Sequence, residues 1–305
     1  MPVGVAQLWI VRPRLRVMKL STIRVAFLMS VTTLLLPHVC HAQSNHQSPK
    51  VETLLAPLGT ATNDSVFSPD ESTKDYKRMV EQLRNPNTET LQILMEEVTN
   101  VGAVQGGQLY IKITKGDLVY RAYRLGEAFQ IVGTNAAPLF PELRSEFLSG
   151  RSTWGSECGL LFIGAEAWPV FLEGLTKRNQ QVQIAAMSGL SFSNVPPSIA
   201  QLAFPYLCRF ATNLSESVLF RGFAQRSIVE LAVKPEIKNP ALMRITNVET
   251  NWFNRCVIID EIGYAGFDNK DVRQFLGRTS KDENKHVREM SEKALRLLDA
   301  SRNGK

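Results

Sequence analysis

At 305 residues the chain has room for one to three domains, and its 35 basic against 29 acidic residues give a formal net charge of +6. That excess is no nucleic-acid footprint. Arg12, Arg14, Arg16, Lys19 and Arg24 lie in the first 42 residues, which hold no acid, and the remainder is nearly neutral with no dense basic run.

The first 42 residues have the grammar of an export signal. A basic flank is followed by an apolar run from Val25 to Leu36, and Cys40-His41-Ala42 places small residues at −3 and −1 of a cut before Gln43. Met18-Lys19 opens a leader of conventional length within it. The apolar run is too short for the ~20 residues a bilayer-spanning helix needs. Export to the periplasm or the cell exterior is therefore expected, with no membrane span once the signal is cut. Cys158, Cys208 and Cys256 then remain, an odd count in apolar helical contexts, where free cysteine behaves as a small buried hydrophobe. Residues 43–72 are rich in Ser, Asn, Asp, Pro and Thr and read as a flexible tether.

From residue 73 to about 300 the pattern is helical. A helix ends at Asn85-Pro86-Asn87, and the next carries Leu91, Leu94, Met95 and Val98 on one stripe. Over 109–122, alternating Leu109, Ile111 and Ile113 followed by β-prone 118–120 would suit a small β-hairpin. Helices are preferred, because Asp117 is a good N-cap for a helix to Ile131. The segments 136–149 and 152–162 form a pair, with Pro138 in the first turn and a bend expected at Pro141. The segments 165–175 and 180–192 form another. Residues 180–192 are apolar almost all round, as in a layer covered on several sides. Pairs follow at 198–211 with 215–232, at 240–248 with 252–265, and at 271–277 with 284–300. The last helix has a single apolar stripe, Val287, Met290, Ala294 and Leu297, as an end cap requires.

Val101-Gly102, Val132-Gly133 and Ile163-Gly164 recur 31 residues apart, and Pro138 and Pro169 each follow a glycine by five. A period of this size marks stacked supersecondary units. The opening Gly-x-x-Ala-x-Pro-x-apolar recurs at Gly133, Ala136, Pro138 and Phe140, and at Gly164, Ala167, Pro169 and Phe171. Val182, Ala186, Gly189 and Leu190 match the second helix of the same repeat, as do Val287-Arg288 with Ala294-Leu295. Over about residues 74–298 the chain resembles the HEAT/armadillo α-solenoids. The resemblance implies an all-α, right-handed α-solenoid of about seven helix pairs and a binding scaffold, and it carries over no catalytic residue.

Catalytic constellations are sparse. A Ser or Cys nucleophile needs a base within reach, and past the polar tail the sole histidine is His286, on the polar back of the last helix. No phosphate-cradling loop or zinc pattern occurs, so no metal, no cofactor and no enzymatic role are expected. The expectation is a non-catalytic scaffold for a protein or peptide partner. The alternatives are a structural spacer of the cell envelope and an enzyme resembling the HEAT-like lyases. Second helices line the inner face of such solenoids, so the candidate partner contacts are Arg121, Arg124, Arg221, Arg226, Asp260 and Glu261. An Arg excess there would favour an acidic partner. The competing role for arginines of these helices is a ladder between units, expected above all for Arg255 and Arg288. Core packing is the default for Trp154, Trp168 and Trp252.

Overall fold

The computed structural model describes residues 49–58, 73–102, 117–191 and 195–303. The leader lies outside them, as do 103–116 and most of the proposed tether. Every regular element among the described residues is a helix. The structure divides after Ala167 into two compact units.

In the first unit, α1 (Pro49–Leu55) and a 3-10 turn (Ala56–Leu58) are followed by α2 (Lys74–Arg84), α3 (Thr88–Gly102), α4 (Asp117–Val132), α5 (Phe140–Ser149) and α6 (Thr153–Ile163). The tether expectation fails over 49–58. Val51, Leu55 and Leu58 are fully buried, and α1 packs on α3. Val51, Leu54, Leu55 and Leu58 recur at helical spacing, and the apolar area they bury favours order here. Of the hairpin alternative, 117–122 belong to α4, which begins at Asp117, and 109–116 lie outside the described residues. Of the recurring glycines, Gly133 (φ 58°) and Gly164 (φ 135°) occupy the left-handed region, whereas Gly102 is the last residue of α3. The single helix expected over 136–149 with a bend at Pro141 is instead two segments. Gly133–Leu139 is a 3-10 segment, and Pro141 sits in the first turn of α5, where its missing N–H has no helical partner to lose.

Packing in this unit departs from strict neighbour-to-neighbour stacking, since α6 contacts both α3 and α4. Glycine makes this approach possible. A Cβ on Gly155 would lie 2.3 Å from the Val98 carbonyl oxygen on α3. Gly155→Ala is therefore expected to destabilise the protein by about 1–3 kcal/mol by forcing two backbones apart. Chemical denaturation will read the loss, and an unchanged midpoint would mean that α6 does not sit on α3.

The second unit is more regular. It holds α7 (Ala167–Thr176), α8 (Gln180–Leu190), α9 (Pro197–Thr212), α10 (Val218–Glu230), α11 (Pro235–Val248), α12 (Trp252–Tyr264), α13 (Lys270–Thr279) and α14 (Lys285–Asn303). One layer runs α8, α10, α12, α14, and α9, α11 and α13 form the other, each packed on its partner. Asn179, Ser217, Asn251 and Asn269 cap helices through side-chain oxygens that accept from backbone N–H groups. The helix expected from Pro240 starts at Pro235 instead, with Pro240 inside its second turn. As expected, α8 is buried broadly, at Val182, Ala185, Ala186, Met187, Gly189 and Leu190. In α14 the seam is Val287, Ser291, Ala294 and Leu298, while Met290 and Leu297 are half-buried. Ser291 fits there because its hydroxyl is bonded to Thr279 Oγ1 at 2.7 Å and to the Val287 carbonyl at 2.8 Å. Trp168 is buried and Trp154 half-buried, but Trp252 is 40% exposed, against the core-packing default.

Candidate functional site

The proposed inner-face contacts are engaged within the fold. Arg121 donates from Nε and Nη2 to Glu97 at 2.8 and 2.6 Å, tying α4 to α3, and Arg124 beside it is 2% exposed. Arg221 donates to Glu249 at 3.1 and 2.8 Å, and Arg226 pairs with Glu230 one turn along α10. Asp260 accepts from Lys293 at 2.8 Å, and Glu261 from the buried Lys238 at 2.9 Å. Arg121, Arg124 and Arg221 are thus corrected from partner contacts to buried groups of the fold. The other three carry internal ion pairs. The reason is energetic: a guanidinium between packed helices must find a carboxylate or remain a costly unpaired charge.

A recurrent ladder emerges. Arg221 is the fourth residue after the cap Ser217, and Arg255 the fourth after Asn251. Each reaches an acid two residues before the next second-helix cap: Arg221 to Glu249, ahead of Asn251, and Arg255 to Asp282, ahead of Asn284. Each of the equivalent side chains Gln183, Arg221 and Arg288 also donates back to a carbonyl of its own inter-helix loop: Lys177, Glu216 and Asp282 respectively, each at 2.7 Å. Arg255 therefore has the ladder role expected of it, and Arg288 contacts carbonyls of its own unit.

Glu249 is the most heavily coordinated carboxylate of the ladder. Besides Arg221 it accepts from Gln225 Nε2 at 2.7 Å, Asn254 Nδ2 at 3.3 Å and the Asn251 N–H at 2.8 Å. Burial opposes its charge, but these hydrogen bonds win and lower its pKa to about 2.

The surface left open is elsewhere. Leu202, Tyr206, Leu214, Val218, Ile237, Val248, Trp252 and Tyr264 are the exposed large apolar side chains among the described residues, and all lie between 202 and 264. Between α9 and α11 an open groove of about 400 Å³ has Phe204, Pro205, Cys208 and Ala241 along it, flanked by Arg209 and Arg244. Both arginines are exposed, and neither has a carboxylate partner among the described residues. The Arg209 guanidinium lies over the rings of Tyr206 and Phe210, 5.6 and 5.3 Å from their centroids. Burial pushes the Cys208 thiol up to about 11, with Arg244 opposing, so the groove floor is uncharged at neutral pH. Cys158 and Cys256 are also unbridged and raised by burial, as small buried hydrophobes would be.

The repeat pattern does not single out Arg209 and Arg244, because they belong to first helices and the inner face of such solenoids is lined by second helices. One signal was present: Leu202 and Tyr206, four apart on α9, fall off the buried stripe of Ala203 and Leu207. His286 is exposed as expected and stacks on Trp252 at 4.8 Å. Among the described residues no group of three or more His, Cys, Asp or Glu side chains is placed to hold a metal. No helix among them is long and apolar enough to cross a membrane.

The fold defines an all-helical protein of packed helix pairs. No family model and no curated protein matches the sequence. Among solved structures, the chain is similar to human deoxyhypusine hydroxylase in complex with glycerol, with 16% identity over 82% of this chain and 96% of that one, at a TM-score of 0.35. Against the expectation of a non-catalytic scaffold and of no enzymatic role, the matched structure is that of an enzyme. A likeness of that size transfers no activity, substrate or metal to this chain.

Proposed function

We propose that this chain is an exported helical-repeat protein of the HEAT type that engages a protein partner through the surface carried by residues 202–264. The observation behind the partner site is the confinement of the exposed large apolar side chains to that stretch. These side chains lie on the consecutive helices α9 to α12 and the loop after α9, and exposed apolar surface concentrated in one part of a protein marks an interaction site. Tyr206 and Trp252 suit such a site, since aromatic side chains are enriched at interface cores. The HEAT assignment is supported by the recurrent Gly-Ala-Pro openings and by the Arg221–Glu249 and Arg255–Asp282 ladder. Export is supported by the leader, with Gln43 as the expected mature N-terminus.

Site-specific photo-crosslinkers at Tyr206 and Trp252, with Arg78 on α2 as the exposed control, test this in the native cell. A discrete adduct from the first two positions and none from Arg78 is expected, on a protein whose N-terminus is Gln43. No adduct at either position would overturn the partner site. Met1 or Met18 on the abundant species would overturn export.

A further inference from the structure

We infer that the α9–α11 groove is an acid-reading peptide site, taking a segment in which a carboxylate stands beside a large apolar side chain. This rests on the partner-binding surface proposed above and assigns its chemistry. Three features of the groove select such a ligand. First, Arg209 and Arg244 flank it without carboxylate partners among the described residues, whereas the arginines of the ladder are paired. Two open guanidinium forks match carboxylates in charge and in planar geometry. Second, the two helices that form the groove offer almost no competing acid, and Glu249, the residue that follows α11, is taken by Arg221. The α9 sequence has no acid, and the single acid of α11, Glu236, lies eight residues from Arg244, about 12 Å along the helix axis. Third, Phe204, Pro205, Cys208 and Ala241 give the groove an apolar, uncharged lining beside the single hydroxyl of Thr212, which donates to the Cys208 carbonyl at 2.9 Å, and Leu202 and Tyr206 extend α9's exposed apolar surface. An apolar side chain between two charge-reading walls orients the segment as well as binding it.

Arg209 sits in the last turn of α9, where a cation also offsets the helix dipole. Arg244 is not in the last turn of α11 and has no such role. The groove's volume of about 400 Å³ suits a few side chains, not a folded domain.

The test is selection from a random phage-displayed peptide library against the intact mature protein, with Arg209→Gln/Arg244→Gln as the counter-target. The enriched peptides are expected to carry Asp or Glu next to an aromatic or large aliphatic residue. Their binding should fall at least about tenfold in the double variant, as expected when charge-assisted hydrogen bonds are lost. Raising the salt should weaken it further, since the contacts are exposed. Both arginines are exposed, so the variant should still melt cooperatively, lowered only by the small contribution of Arg209's dipole and ring contacts, and binding loss will not reflect misfolding. Peptides without acidic enrichment, or equal binding by parent and variant, would overturn the acid-reading site while leaving the partner surface standing. No enrichment at all overturns the site as well, and the crosslinking at Tyr206 and Trp252 then decides the broader reading separately.

Discussion

Replacing Glu249 by alanine is expected to lower stability by about 3–5 kcal/mol, because it leaves the Arg221 guanidinium buried without its carboxylate. Gln225 and Asn254 lose an acceptor at the same time. The effect should depend on pH in a defined direction. The folded-state pKa of Glu249 is lowered from 4.5 to about 2, so its charge contributes stability above the unfolded value, and that contribution fades as pH falls toward 2. The full shift corresponds to about 3 kcal/mol, of which about 2 should be gone at pH 3. Asp268 and Asp282 are lowered as well, through Arg273 and Arg255, and add acid sensitivity to parent and variant alike. Denaturant titrations of parent and Glu249→Ala at pH 7 and pH 3 isolate the Glu249 part. The gap between them should narrow by about 2 kcal/mol in acid, and a constant gap would show that the carboxylate is not charged and paired in the fold.

Leu190→Ala is expected to cost about 2–5 kcal/mol as a fully buried large-to-small change. Leu190 lies on α8, where five other residues are buried around the helix, so little can collapse into the space it leaves. Leu297→Ala on α14 should cost visibly less, since Leu297 is half-buried and flanks the seam formed by Val287, Ala294 and Leu298. Urea unfolding of the two variants measures the difference. Equal losses would contradict the graded burial of the two helices.

The helices of the second unit were legible in the sequence because their signals are local. Asn179 and Asn251 stand at helix starts and apolar residues recur at helical spacing, while in the first unit the glycines after Val132 and Ile163 take backbone angles that other residues avoid. The breadth of burial on α8 was legible for the same reason: composition around one helix reports how many sides are covered. The short helix at 49–55 was read as tether because its three apolar contacts are too few to announce an element until α3 is there to receive them.

By itself, then, the amino-acid order determined the helical class, most helix positions and the turn glycines, all properties settled within a few turns of chain. Only the tertiary structure decided which charges are available. Arg221 and Arg209 look alike in sequence, but the acid that satisfies Arg221 arrives from 28 residues away, while α9 and α11 bring no acid to Arg209 or Arg244. The approach of α6 to α3 through Gly155 is equally non-local, spanning more than fifty residues. Burial and ion pairing depend on what the neighbouring helix presents, and a one-dimensional pattern does not contain that distance.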